Sequence, residues 1–212
     1  MNRELSLRDV ERIFCDRTPG EIGKYRHFSV MLPLIEMEGG LHVLYEVRSK
    51  NLVRQPGEIC FPGGFCEKGE TYLEAAVREC CEELSLESEK IRIICELDKV
   101  MNYSGFTIHC YLGELKVDEI SSIIPEEAEV EEVFAVPVSW LLENEPHTEI
   151  VEISPVISPD FPYEMLGLGK DYYWRKGKME VPFYKYQDKI IWGITGRITK
   201  QFVEILKKFS NF

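Results

Sequence analysis

No apolar run in these 212 residues approaches the ~20 that a bilayer-spanning helix needs, which excludes a helical membrane protein. The opening, MNRELSLRDVERIF, lacks the apolar core of a signal peptide, and the closing KKFSNF carries no peroxisomal or lipidation signal. Metal-type CxxC pairs are missing. The seven cysteines are scattered, and the neighbours Cys80 and Cys81 would sit on opposite faces of a helix. All seven therefore read as reduced thiols in a cytoplasmic protein. Only four histidines occur, His27, His42, His109 and His147, without an HExxH or triad-like grouping. P-loop and GxGxxG patterns are absent, and no repeat or low-complexity linker divides the chain. Positive charge is scarce: 25 Lys and Arg face 37 Asp and Glu, for a net charge of −12. That balance argues against a nucleic-acid partner, because phosphate contacts need Lys and Arg.

What is present is concentrated in Phe61 to Leu86, FPGGFCEKGETYLEAAVRECCEELSL. A glycine-rich turn gives way to a helical pattern in which Leu73, Ala76, Val77, Cys80 and Leu84 recur at the spacing of one buried face. Glu79, Glu82 and Glu83 stand at i, i+3 and i+4 and share another face. Such a helix packs into a core while aiming three carboxylates at one point. Carboxylates so placed suit a hard divalent cation such as magnesium. An acidic cluster alone is more often a solvated surface; the spacing of Gly64, Glu70 and Arg78 around it makes this one specific.

The stretch resembles the Nudix box. Gly64, Glu70, Arg78, Glu79, Glu82, Glu83 and Leu86 match in register. Cys80 replaces an aliphatic, a mild change because free Cys behaves as a small hydrophobe. Ser85 replaces the glycine that follows the helix and lacks its freedom at positive φ, which leaves room for an exit shifted by a residue. The resemblance implies an α/β/α sandwich with a mixed β-sheet between helices, and a Nudix domain over residues 25–210 behind an N-terminal helical extension, 1–24. It further implies a diphosphatase using Mg2+ or Mn2+. Glu79, Glu82, Glu83, the Gly64 carbonyl and a later glutamate would hold metal. Glu70 and Arg78 would form an orienting pair.

Just upstream, Arg48, Ser49, Leu52, Gly57 and Phe61 through Gly64 resemble the signature of the coenzyme A pyrophosphatase subfamily, with Gln55 and Val53 departing from it. The implied substrate is coenzyme A or its acyl form, cleaved to 3′,5′-ADP and 4′-phosphopantetheine. Arg48, Lys50 and Arg54 are candidate contacts to its 3′-phosphate. Another diphosphate (ADP-ribose, NADH or a dinucleoside polyphosphate) and a non-catalytic nucleotide sensor stay open, as does a homodimer.

Elsewhere, residues 6–16 predict a short helix capped by Ser6. Ser29 to Ile35 and Leu41 to Val47 predict a hairpin around Glu38-Gly39-Gly40, and Ile91 to Leu97 and Thr107 to Leu115 predict strands. Val133 to Val138 predicts a strand entering a helix over Ser139 to Glu143. By resemblance Glu132, ahead of Glu129, faces the metal from that segment. Asp171 to Lys178 reads as a loop, and the chain closes on a helix with Ile194, Ile198, Phe202, Ile205 and Phe209 as its apolar stripe.

Overall fold

The computed structural model describes residues 5–209. Its elements run α1 (Leu7–Phe14), β1 (Arg26–Met37), β2 (Gly40–Arg48), β3 (Ile59–Cys60), β4 (Gly63–Phe65), α2 (Tyr72–Leu84) and β5 (Ile91–Glu96). There follow β6 (Val100–Asn102), β7 (Phe106–Leu115), β8 (Val130–Pro137), α3 (Val138–Glu143), β9 (His147–Ile153), β10 (Gly177–Tyr186), β11 (Lys189–Ile191) and α4 (Gly193–Phe209).

Strand β1 is the axis of a mixed eight-stranded sheet. It pairs antiparallel with β2 and with β4, and parallel with β7 over Arg26↔Phe106 to Leu34↔Glu114. The predicted hairpin forms, closing at Met37↔Gly40. Alternation along the strands divides two cores. Leu32, Leu34, Val43 and Tyr45 meet Val138 and Leu141 of α3 and Ile198 and Phe202 of α4. Met31, Ile35 and Leu44 meet Ala76, Cys80 and Leu84 of α2. A period of two in β1 and β2 thus sends successive residues to opposite helical layers. The outcome is the expected α/β/α sandwich.

Three local outcomes bear on the sequence reading. Ser6 caps α1 with Asp9 in a full capping box, although α1 buries none of its residues. Ser85 takes the left-handed conformation itself, φ 50° and ψ 46°, so α2 exits where a glycine would end it and the exit is not shifted. In α4, Ile198 and Phe202 are buried together with Thr199 and Val203, whereas Phe209 is exposed and leaves the stripe. A second sheet, β11-β10-β9, lies outside the main one. Its strand β10 begins inside the segment read as a loop.

Candidate active site

Helix α2 starts at a capping box. Thr71 Oγ1 accepts from the Glu74 amide, and the Glu74 carboxylate accepts from the Thr71 amide. This fixes the phase of the helix, and with it the direction of its glutamates. The Gly63–Gly64 turn lies under that acidic face as β4, paired to β1 at Val30 and Ser29. Both glycines are required by close approach. A Cβ on Gly63 would stand 2.3 Å from the Ser29 carbonyl oxygen, and one on Gly64 2.2 Å from Glu79 Oε1.

The three glutamates of the box lie in three different environments. Glu83 is 3 % exposed, and its Oε2 accepts the Gly63 amide at 2.7 Å. Burial raises its carboxyl well above the usual range, with Glu46 raising it further and Glu79 and Glu129 adding to the effect. Glu79 is half-buried and likewise raised by desolvation, against the pull of Arg78. Glu82 is 60 % exposed and pairs with Arg78 at 3.0 Å.

Arg78 organises this face. Its Nε donates to Glu70 Oε1 at 2.8 Å, and its Nη1 to Glu79 Oε1 at 2.9 Å and to Glu82 Oε2 at 3.0 Å. Its Nη2 donates to the Phe65 carbonyl at 3.1 Å and to Glu70 Oε2 at 3.2 Å. All five guanidinium donors are engaged. The fork on Glu70 holds that carboxyl below its ordinary range.

One participant escaped the sequence reading. Glu46, on β2, has no exposed surface; its Oε1 accepts from Cys60 Sγ and its Oε2 has no partner. Desolvation raises its carboxyl, and Glu129 and Glu79 add to this, while Cys60 and Arg48 oppose it. The signal was available: an acid sits on the inward phase of LHVLYEVR, two residues from core Leu44.

Glu132 and Glu129, the two candidates for the later glutamate, lie in different surroundings. Glu132 turns away to Lys189 Nζ at 2.6 Å and is 47 % exposed. The charge of Glu129 acts on Glu46, Glu79 and Glu83 together. Strand position explains the difference. Glu132 lies opposite Val47 within the β2–β8 ladder, whereas Glu129 precedes β8, where its carbonyl accepts the Ser49 amide. Among the candidate substrate contacts, Lys50 is tied to Glu131 at 2.6 Å, and Arg54 is exposed. Arg48 ends β2 with its Nε buried and without a partner.

Among the described residues no three Asp, Glu, His or Cys side chains stand at metal-ligand spacing. The donor set nonetheless fits a hard cation. Buried carboxylates lie close enough to raise one another, one buried oxygen is orphaned, and a glycine leaves space against Glu79.

Known proteins provide the context. Mouse peroxisomal coenzyme A diphosphatase NUDT7 is 35% identical over 116 residues, covering 54% of this chain and 48% of its own length. Nudix hydrolase 3 of Caenorhabditis elegans is 32% identical over 118 residues, covering 55% and 49%. The chain thus spans about half the length of these two relatives. Mouse mitochondrial coenzyme A diphosphatase NUDT8 is 29% identical over 182 residues, covering 84% of this chain and 77% of its own. A MutT/nudix family protein from Enterococcus faecalis superposes with a TM-score of 0.50 at 17% identity, over 99% of this chain and 73% of that one, a likeness of fold alone. The NUDIX domain model matches residues 25–157, from β1 through the glutamate helix and past β9. On that match, with the box residues gathered around one glycine turn, the chain belongs to the Nudix family.

Proposed function

We propose that this chain is a metal-dependent diphosphatase that cleaves coenzyme A or acyl-coenzyme A to 3′,5′-ADP and 4′-phosphopantetheine or its acyl form. The observation carrying the reading is the buried set of Glu83, Glu46 and Glu79 around Gly63 and Gly64. Within this set Arg78 answers only Glu79, and no cation of the chain offsets the raised Glu83 carboxyl, so the ionised set calls for further positive charge. Glu79, Glu82, Glu83 and Glu129 would hold Mg2+ or Mn2+, with Gly64 at the opening. Such an ion, when bound, neutralises a diphosphate and lowers the pKa of water.

The chain's own groups do the positioning. Arg78 and Glu70 hold the helix face against the Phe65 carbonyl. Glu83 fixes the turn through the Gly63 amide. Arg48 and Arg54 are the cations left to recognise a 3′-phosphate, since Lys50 is engaged by Glu131. The substrate is supported by the Arg48…Gly57…Gly64 signature and by the coverage of mouse NUDT8.

The test is product release from coenzyme A, acetyl-coenzyme A, dephospho-coenzyme A, ADP-ribose, NADH and diadenosine tetraphosphate, with and without magnesium. Losing charge-assisted contacts to the 3′-phosphate should lower kcat/KM for dephospho-coenzyme A by about tenfold or more. Equal turnover, or preference for ADP-ribose or a dinucleoside polyphosphate, refutes the coenzyme A reading. A protein inert toward all six yet thermally stabilised by one of them is a nucleotide sensor.

A further inference from the structure

One cavity lies away from the carboxylates. A groove of about 820 Å³ lies between α4, β10 and the β6 edge, with Ile198, Phe202 and Val100 in its wall. These residues belong to the α4-side core, across the sheet from α2. A second lobe of about 450 Å³ meets it at Met101 and Tyr103 and ends on Lys24, Tyr25 and Thr107. No wall residue of either lobe belongs to the Gly63–Glu83 site.

The charge of the groove is unlike that of the chain. Lys200 pairs with Glu180 at 2.6 Å and reaches Glu204 at 3.9 Å, while Asp98 accepts only from the neutral amide of Gln201. Four cations (Lys99, Lys178, Arg197 and Lys200) stand against three acids (Asp98, Glu180 and Glu204), a surplus of one. Lys99 and Lys178 have no ion-pair partner among the described residues, and Arg197 donates only to the Met179 sulfur, at 3.8 Å. In a protein of net charge −12 a groove with one positive charge in excess stands apart, and its three cations outside ion pairs are the groups an anion would meet. The apolar part of the site is aromatic and open. Tyr103 is 69 % exposed and Tyr25 43 % exposed, and among the described residues neither ring stacks on another. Thr107 at the floor is buried, with its hydroxyl unpartnered. Open rings beside water suit a flat heteroaromatic base better than an alkyl chain, which needs enclosure.

We propose that this groove is a second site, separate from the carboxylate centre, for a phosphorylated nucleoside. The base lies against Tyr103, and the phosphates lie on Arg197, Lys99 and Lys178. A nucleoside bisphosphate of the kind released in the proposed reaction has this chemistry, but binding here needs neither metal nor turnover.

The probe is adenosine 3′,5′-bisphosphate, titrated calorimetrically into the full chain in the presence of EDTA. Saturable 1:1 binding is expected. Arg197→Ala and the Lys99→Ala/Lys178→Ala pair should each weaken it by about tenfold or more, the effect of a lost charge-assisted contact. Tyr103→Ala should weaken it by about fivefold or more, and unphosphorylated adenosine should not bind measurably. Glu83→Gln and Arg48→Ala should leave it unchanged. Melting curves of each variant separate lost binding from lost fold, and Lys178→Glu, on an exposed position of β10, repeats the charge test without touching α4. Absence of binding, or binding abolished by Glu83→Gln and kept by Arg197→Ala, overturns the proposal. So does a higher KM for the substrate in Arg197→Ala, which would make the groove part of the substrate's own site. Inactivity toward coenzyme A would sink the functional reading and leave this binding result intact.

Discussion

Replacing Glu83 with Gln should make the metal-free protein more stable while abolishing magnesium-dependent turnover. Gln keeps the volume and retains an oxygen for the Gly63 amide, now 2.7 Å from Glu83 Oε2. Only the charge goes. Burial holds the Glu83 carboxyl well above its ordinary range, with Glu46 adding to the effect. A carboxyl raised in the folded state binds protons more tightly there than in the unfolded chain. Its contribution to stability is therefore complete below the ordinary carboxylate pKa and is lost as pH rises toward the raised value. Each pH unit within that window removes about 1.4 kcal/mol at most. Water entry and rearrangement reduce the sum, leaving ~1–3 kcal/mol at pH 8. For a chain of this size that corresponds to about 2–10 °C in Tm. Thermal melts in EDTA should coincide for the two proteins near pH 5 and separate by pH 8, with the variant higher. Magnesium should then raise the wild-type Tm and leave the variant where it is. A variant melting at or below wild type at pH 8 would refute the account of Glu83 as a charge held buried for a cation.

Other substitutions probe separate parts of the site. Arg78→Lys keeps the charge but cannot reproduce a fork reaching Glu70, Glu79, Glu82 and the Phe65 carbonyl; kcat should fall by about tenfold or more with KM little changed, in steady-state assays. Glu129→Gln should raise the magnesium concentration needed for half-maximal activity several-fold, while Glu132→Gln, removed from the cluster by Lys189, should leave it within about twofold. Ser85→Gly relieves a left-handed serine at the end of α2 and should add ~0.5–1 kcal/mol in urea unfolding, the exit of the helix being unchanged.

The layered architecture was legible wherever periodicity was strong. Strands β1 and β2 alternate cleanly, and the two glycines between them close a hairpin that no helix would tolerate. The box glutamates were legible because a helix converts their spacing into a shared face. Two kinds of fact were not. Strand β10 was hidden by Pro182 in its middle; the proline is accommodated opposite Thr148, and its carbonyl faces the place where a Cβ on Gly196 would be. The different surroundings of Glu129 and Glu132 were hidden because they depend on where β8 begins to pair with β2, a long-range register that local pattern does not carry. Glu46 stood between these cases. Its position on an inward phase was visible in the sequence, but what an acid there is for appears only when α2 folds over it.

The engagement of Arg78 bears on how the protein fares before it meets a cation. Every donor of the guanidinium is committed within the chain, so newly made protein already carries a tethered counter-ion for Glu79 and Glu82. The acidic helix can then form in a metal-poor cell without first recruiting anything from solution. On the proposed reading, a cation binding at Glu79 and Glu82 would have to displace an intramolecular partner, so its affinity would reflect an exchange of ligands more than a simple addition. Glu70 thereby acquires leverage at a distance. By gripping Arg78 with both oxygens, it sets how readily the arginine yields Glu79 and Glu82, and so, on the proposed reading, how scarce a metal could become before leaving them.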